Sequence, residues 1–529
     1  MNKKIIASTY RSAALMALIV MAVYGFGGCK PTVTVKGSEI TPDTALAAST
    51  FTRHTVTGIT TPLPQAPDVP GLKGVSYLTI GDINQDGIKE IVATSGIGQD
   101  KDQSTANGDV ALYTWNGQDM DNWTQSIISS DFAFPNETVL RDIDGDGYID
   151  IMVMDNFIFC MHPGGIYYLK NKGGDNITSP SNWEKKTIYT KGGTDMVSLA
   201  SYHKAVFIDL DGDGLEDFIT SKVSYCLYTQ NDGSQYNWIE WFKNEGNGTF
   251  SGPYAIGQGA GFMFLVKDIN GDGKPDIVAP QFLIADPDTN APWGSAKTPA
   301  PEGASLLWFE NPGNVTTTSP AWKSYIIDYW YTSKNPIGKA MEVIAVDIDK
   351  DNKTELLVSS HNHQNYIDAP TNTLRYWPSG VFAFEIPRNP KKTSAWKSVV
   401  IDSGNPDLDP NDPAAVAADP FAVNRPGGAM SQGSPGMVRA ADINGDGFAD
   451  IVLPGDGKGV VYYYESQGVA SGIVKYKRTA LYEDPKCMPG DAQIVDIDGD
   501  GKLEIVSAIY DTSVNKNSDS GSIFIFKQK

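Results

Sequence analysis

The chain has 529 residues, of which 41% are hydrophobic and 10% aromatic, and its formal net charge is −21. Nucleic acid and anionic lipid both require a basic surface, so this charge excludes them as direct partners, while the apolar content suffices for packed cores. A body of about 475 residues is too long for one ordinary core and calls for several domains or a repeat architecture.

The first segment opens with Lys3, Lys4 and Arg11 and continues into an apolar run from Ala13 to Val23. The run is short and wrongly flanked for a durable membrane span, so residues 1–28 read as an export signal. Phe26-Gly-Gly-Cys29 then resembles the lipobox of bacterial lipoproteins. That resemblance implies a lipidated Cys29, a chain held at the cell envelope (outer membrane or cell surface), and membrane contact through the lipid alone. Residues 29–50 are rich in Thr, Ser and Ala without periodicity and read as a flexible tether.

From Asp82 onward an acidic nonapeptide recurs seven times: DINQDGIKE, DIDGDGYID, DLDGDGLED, DINGDGKPD, DIDKDNKTE, DINGDGFAD and DIDGDGKLE, with starts 60, 67, 59, 79, 95 and 54 residues apart. The opening looks like an EF-hand loop, but the twelfth-position Glu is missing and short apolar runs flank each copy. The loop therefore joins two strands rather than two helices. Oxygens at positions 1, 3 and 5, a backbone carbonyl at 7 and a carboxylate at 9 can surround one Ca²⁺. The expected side-chain ligands are Asp82, Asn84, Asp86 and Glu90; Asp142, Asp144, Asp146 and Asp150; Asp209, Asp211, Asp213 and Asp217; Asp268, Asn270, Asp272 and Asp276; Asp347, Asp349, Asp351 and Glu355; Asp442, Asn444, Asp446 and Asp450; Asp496, Asp498, Asp500 and Glu504. Up to seven structural calcium ions follow. Position 6 is Gly except in the fifth copy, where Asn352 tolerates φ > 0 next best and a weaker site is expected.

Each loop is followed by a β-branched and aromatic strand, as in Gly165-Ile-Tyr-Tyr-Leu, and then by one that begins with an aromatic and a basic residue, as in Trp183-Glu-Lys-Lys or Trp322-Lys-Ser. Every unit thus reads as strand A, acidic loop, strands B, C and D. The seventh unit lacks strand D, and Phe51-Thr-Arg-His-Thr-Val near the start matches that missing pattern. The expected fold is all-β, a seven-bladed β-propeller over residues 51–529 with a calcium loop between strands A and B of each blade. The N-terminal strand closes the ring and removes exposed sheet edges.

These loops, seven times around, resemble the FG-GAP/VCBS repeat family, whose members include the propeller of integrin α subunits. The resemblance implies the propeller and the calcium; the family hosts adhesins, lectins and some carbohydrate-active enzymes, so it implies no single function.

In a four-stranded blade the B–C and D–A connections lie at the end opposite the A–B loops, and the longest insertions, residues 281–303, 360–379 and 405–436, belong to them. His162, His203, His361 and His363 also map there and are candidates for a catalytic or metal role. Trp293, Trp330, Tyr331 and Trp377 are candidates for stacking on a sugar. Cys160 and Cys226 could pair in an oxidising compartment, which would leave Cys487 free. No nucleophile triad, phosphate loop or dinucleotide fingerprint is present. The sequence therefore favours a binder of a polysaccharide or protein over an enzyme, the alternative being a polysaccharide lyase or sugar dehydratase.

Overall fold

The computed structural model describes residues 35–42, 50–56, 75–95, 108–156, 164–174, 176–190, 201–223, 238–258, 262–281, 304–329, 337, 340–360, 365–368, 373–376, 380–402, 436–455, 459–484, 488–510 and 522–529. They form seven blades, each with antiparallel strands in the order A-B-C-D, and one separate two-stranded sheet. Strands A and B are Val75–Gly81 and Glu90–Ser95 in blade 1, Pro135–Arg141 and Asp150–Asp155 in blade 2, and Ser201–Ile208 and Asp217–Val223 in blade 3. They are Leu265–Lys267 and Asp276–Pro280 in blade 4, Ala340–Val346 and Glu355–Ser360 in blade 5, Arg439–Ala441 and Asp450–Gly455 in blade 6, and Met488–Val495 and Glu504–Tyr510 in blade 7. Strands C of blades 1 to 7 are Gly108–Trp115, Gly165–Asn171, Trp238–Gly246, Ala304–Glu310, Gly380–Glu385, Val460–Ala470 and Ile523–Gln528. Strands A of blades 4, 5, 6, 7, 1, 2 and 3 adjoin one another in that succession around the axis of the ring.

Strands B are buried along their whole length in blades 1, 2, 4, 5 and 6 because both of their faces meet a neighbouring blade. Such doubly covered strands read as continuous apolar runs rather than alternating ones. One hydrophobic cluster fills each of the seven blade interfaces, and the cluster of Val506, Ile525, Leu78, Ile91 and Tyr113 joins blade 7 to blade 1. At the start of strand D, Trp123, Trp183 and Trp396 are buried, and their indole N–H groups donate to Met120, Ile177 and Pro390 carbonyls at 2.7–2.8 Å. The aromatic residue that marks strand D in the sequence therefore pins the C–D turn of its own blade.

Closure follows the expected route. Phe51–Val56 pairs antiparallel with Ile523–Gln528 as the fourth strand of blade 7, and the Lys529 N–H donates to the Thr50 carbonyl at 3.0 Å. One expectation needs correction. Inside the segment read as a tether, Gly37–Pro42 forms a fifth strand on blade 6, pairing in parallel with Ile473–Arg478; Ser38 Oγ donates to the Val400 carbonyl of blade 5 at 2.7 Å. Its composition gave no signal because it joins a finished sheet edge through main-chain bonds. Within the blade 5 insertion, Asn365–Asp368 and Thr373–Tyr376 form a separate two-stranded sheet.

At the axis Arg439 of blade 6 bridges Glu342 of blade 5 at 2.7 Å and Asp491 of blade 7 at 3.0 Å. Asp491 accepts the Leu78 N–H of blade 1 at 3.0 Å, and Glu137 of blade 2 accepts the Ala205 N–H of blade 3 at 3.2 Å. Burial pushes the Glu137 carboxyl up to about 7, against the pull of Lys204 and Arg439. Polar ties thus run from blade to blade where the strands are most crowded.

Candidate metal centres and the opposite loop face

All seven acidic nonapeptides fold alike as the turn between strands A and B. The position 1 carboxylate accepts the position 6 N–H at 2.7–3.0 Å in every copy. The position 5 carboxylate accepts the position 7 N–H at 2.8–3.0 Å. Both contacts require positive φ at position 6, where Gly87 stands at 90° and Asn352 at 67°. Asn352 therefore keeps the turn of the other six, as Asn can.

The position 9 acid is buried in all seven copies. One of its oxygens accepts the position 2 N–H at 2.8–3.1 Å. In the four copies with Asp the other oxygen accepts a second N–H at 2.8 Å, from Asn171, Asn244 or Ser466 of strand C or from Asn311 just past it. The asparagine side chains also bind the position 8 carbonyl and the N–H two residues on, in the pattern Asn-x-Gly. Sequence reasoning missed these clamps. Their signal was the recurrence of Asn-Lys-Gly, Asn-Glu-Gly and Asn-Pro-Gly after strand C in blades 2, 3 and 4.

The electrostatics of the loops favour a cation. Three carboxylates lie within 4.8 Å of one another in the loops of blades 2, 3, 5 and 7. Buried oxygens of Asp144, Asp349, Asp442, Asp496 and Glu504 have no hydrogen-bond partner among the described residues. Burial first, and the neighbouring carboxylates after it, push Glu355 up to about 8, Glu90 to about 7 and Asp150 to about 6. Hard oxygen donors clustered in this way could hold Ca²⁺, which takes six to eight such ligands.

Of the candidates on the opposite face, His203 is described. It stands inside strand A of blade 3 rather than in the loop before it, fully buried, with its ring 4.1 Å from that of Phe262. Its burial inside the strand corrects its reading as a loop histidine open to a ligand, and that burial lowers its pKa to about 3. His162, His361, His363, Trp293, Trp330, Tyr331 and Trp377 lie outside the described residues, as do Cys29, Cys160, Cys226 and Cys487.

Residues 209–279 and 425–507 match the FG-GAP-like repeat family. The first stretch runs from the blade 3 loop through strand B of blade 4, and the second ends in strand B of blade 7. No curated protein matches the chain. Among solved structures, an Agrocybe aegerita lectin that recognises non-reducing terminal N-acetylglucosamine is 14% identical, over 84% of this chain and 87% of its own, with a TM-score of 0.41. The rhamnogalacturonan lyase YesW is 12% identical over 89% and 75%, at 0.40. BBS1N in complex with ARL6DN is 10% identical over 87% and 95%, also at 0.40. These likenesses carry no argument about what this chain does.

Proposed function

We propose that this chain, a seven-bladed β-propeller of FG-GAP-like repeats, is a calcium-stabilised binding protein. Its A–B turns take up the metal, and the loops at the other end of the ring engage a glycan or protein partner. One observation supports the metal half: seven loops far apart in sequence fold to one geometry, and in those of blades 2, 5, 6 and 7 buried carboxylate oxygens have no hydrogen-bond partner among the described residues. Bound calcium would offset the mutual repulsion of these acids and stiffen the turns it occupies. Residues 1–28 act in this reading as an export signal, and a lipidated Cys29 holds the ring at the bacterial envelope.

The binding half is supported by where the chain places its insertions. Residues 282–303 separate strands B and C of blade 4, and residues 403–435 separate blade 5 from blade 6, so both join strand ends opposite the metal turns. Insertions of this length in a compact ring are usually functional. Electrophoresis of the protein through native gels cast with acidic or neutral polysaccharides in millimolar calcium tests it. Retardation on one polymer that remains intact supports the reading, shortened polymer replaces it with a carbohydrate-active enzyme, and no retardation removes the glycan as partner.

A further inference from the structure

We infer that the seven turns are unequal toward cations: in blades 2, 3 and 7 a lysine of the protein occupies the place of the ion, and the need for a divalent metal falls on blades 1, 4, 5 and 6. This rests on the calcium reading above.

The observation is one of strand register. In every blade the residue after position 9 faces one strand C residue: Tyr113, Leu169, Phe242, Phe309, Phe384, Tyr464 and Phe526 in blades 1 to 7. The next residue along strand C stands beside the turn. It is Lys170, Lys243 and Lys527 in blades 2, 3 and 7, Glu310, Glu385 and Glu465 in blades 4, 5 and 6, and Thr114 in blade 1. Each lysine sends its Nζ between the position 3 and position 5 carboxylates of its own turn. Lys170 pairs with Asp144 and, at 2.6 Å, with Asp146; Lys243 pairs with Asp211 and Asp213; Lys527 pairs with Asp498 and, at 2.7 Å, with Asp500.

Calcium could enter such a turn only by breaking two charge-assisted hydrogen bonds and standing beside a like charge. Of the four turns whose three carboxylates lie within 4.8 Å, blades 2, 3 and 7 carry the lysine. The fourth, in blade 5, has Glu385 at that strand C position instead. There Asp349 is 8% exposed, and its Oδ2 has no partner among the described residues although Lys353 meets Asp351 at 3.3 Å. Its Oδ1 accepts only the Asp351 N–H at 3.1 Å, and no strand C lysine enters between positions 3 and 5, so the charge of this buried carboxylate is left to an external cation.

Equilibrium dialysis of the full chain with radioactive calcium counts the sites. The wild type is expected to fill four sites, with the other three roughly tenfold or more weaker, since ligand charge tunes affinity. Lys170→Gln, Lys243→Gln and Lys527→Gln together should raise the tight class to seven. The reciprocal Glu465→Lys keeps the strand C geometry and should lower the count by one, so the inference stays testable if the triple variant fails to fold. Seven equivalent sites in the wild type, or counts that neither change moves, would overturn the partition and leave the calcium reading standing. A wild type that takes up no calcium would overturn both.

Discussion

Replacing Arg439 by Met probes how the ring is held at its axis. The guanidinium pairs with Glu342 and Asp491, whose side chains are 3% and 2% exposed, so its removal strands two buried carboxylates in one place. Breaking a buried pair on one side costs about 3–5 kcal/mol, because the remaining charge keeps its desolvation penalty and loses its partner. An unfolding entropy of about 2.1 cal/mol/K per residue gives roughly 1 kcal/mol per degree for a ring of about 480 residues. Calorimetry in saturating calcium should therefore show Tm lowered by about 3–5 °C. Neutralising both acids as well, with Glu342→Gln and Asp491→Asn, should recover much of the loss, since an uncharged trio carries no unpaired ion. A shift under about 1 °C for the single variant, or a triple variant no better than the single, would refute the account of Arg439 as the counter-charge of the axis.

Chelation of calcium should lower Tm by a few degrees per ion lost, because a ligand at a hundred times its Kd contributes about 2.7 kcal/mol; the same Tm with EDTA as with millimolar calcium would contradict a structural role for the metal. His203, held neutral with its pKa lowered to about 3 from an ordinary 6.5, binds a proton in the unfolded chain but not in the folded one between those values. Its contribution is full above about pH 6.5 and is lost at about 1.4 kcal/mol per unit as the pH falls. Glu137, raised to about 7, acts in the opposite direction between about 4.5 and 7, so the histidine is isolated by comparison with His203→Phe, which should lose less Tm than the wild type from pH 6.5 to 5. Parallel Tm curves for the two proteins would contradict this. Asp276→Glu should cost about 1–3 kcal/mol in denaturant unfolding, since a longer acid cannot keep both the Ile269 and Asn311 N–H bonds in a site with no room. Equal stability would show that the second bond is dispensable.

Much of the ring was legible because its signals are local. The acidic turn, the apolar runs on either side, the aromatic at strand D and the orphan strand at Phe51 each lie within a few residues and repeat, and repetition makes a weak pattern specific. The axis was not legible. Glu342, Arg439 and Asp491 lie 97 and 52 residues apart and meet because strands A converge. His203 misled for a related reason: a lone histidine next to a predicted strand looks like loop, and only the pairing of Ser201 with Val223 and Tyr202 with Lys222 shows that the strand begins earlier. Gly37–Pro42 is recognised by an edge supplied from residues over 400 positions away, which no local pattern encodes.

The ninth position of the acidic turn shows how a metal motif and a folding device share residues. A carboxylate there reads as a calcium ligand, yet in every blade it is tied to the position 2 N–H, and in four blades also to strand C. The choice between Asp and Glu follows the strand C terminus. Asp occurs where Asn171, Asn244, Asn311 or Ser466 brings a second N–H close, and Glu where Trp115, Ile386 or Gln528 stands at that register. Variation that looks like tuning of a metal site thus coincides with whether a second backbone bond to strand C is made. In the partition inferred above, metal preference would be set elsewhere, at the neighbouring strand C residue, where a lysine in place of a glutamate changes the local charge by two.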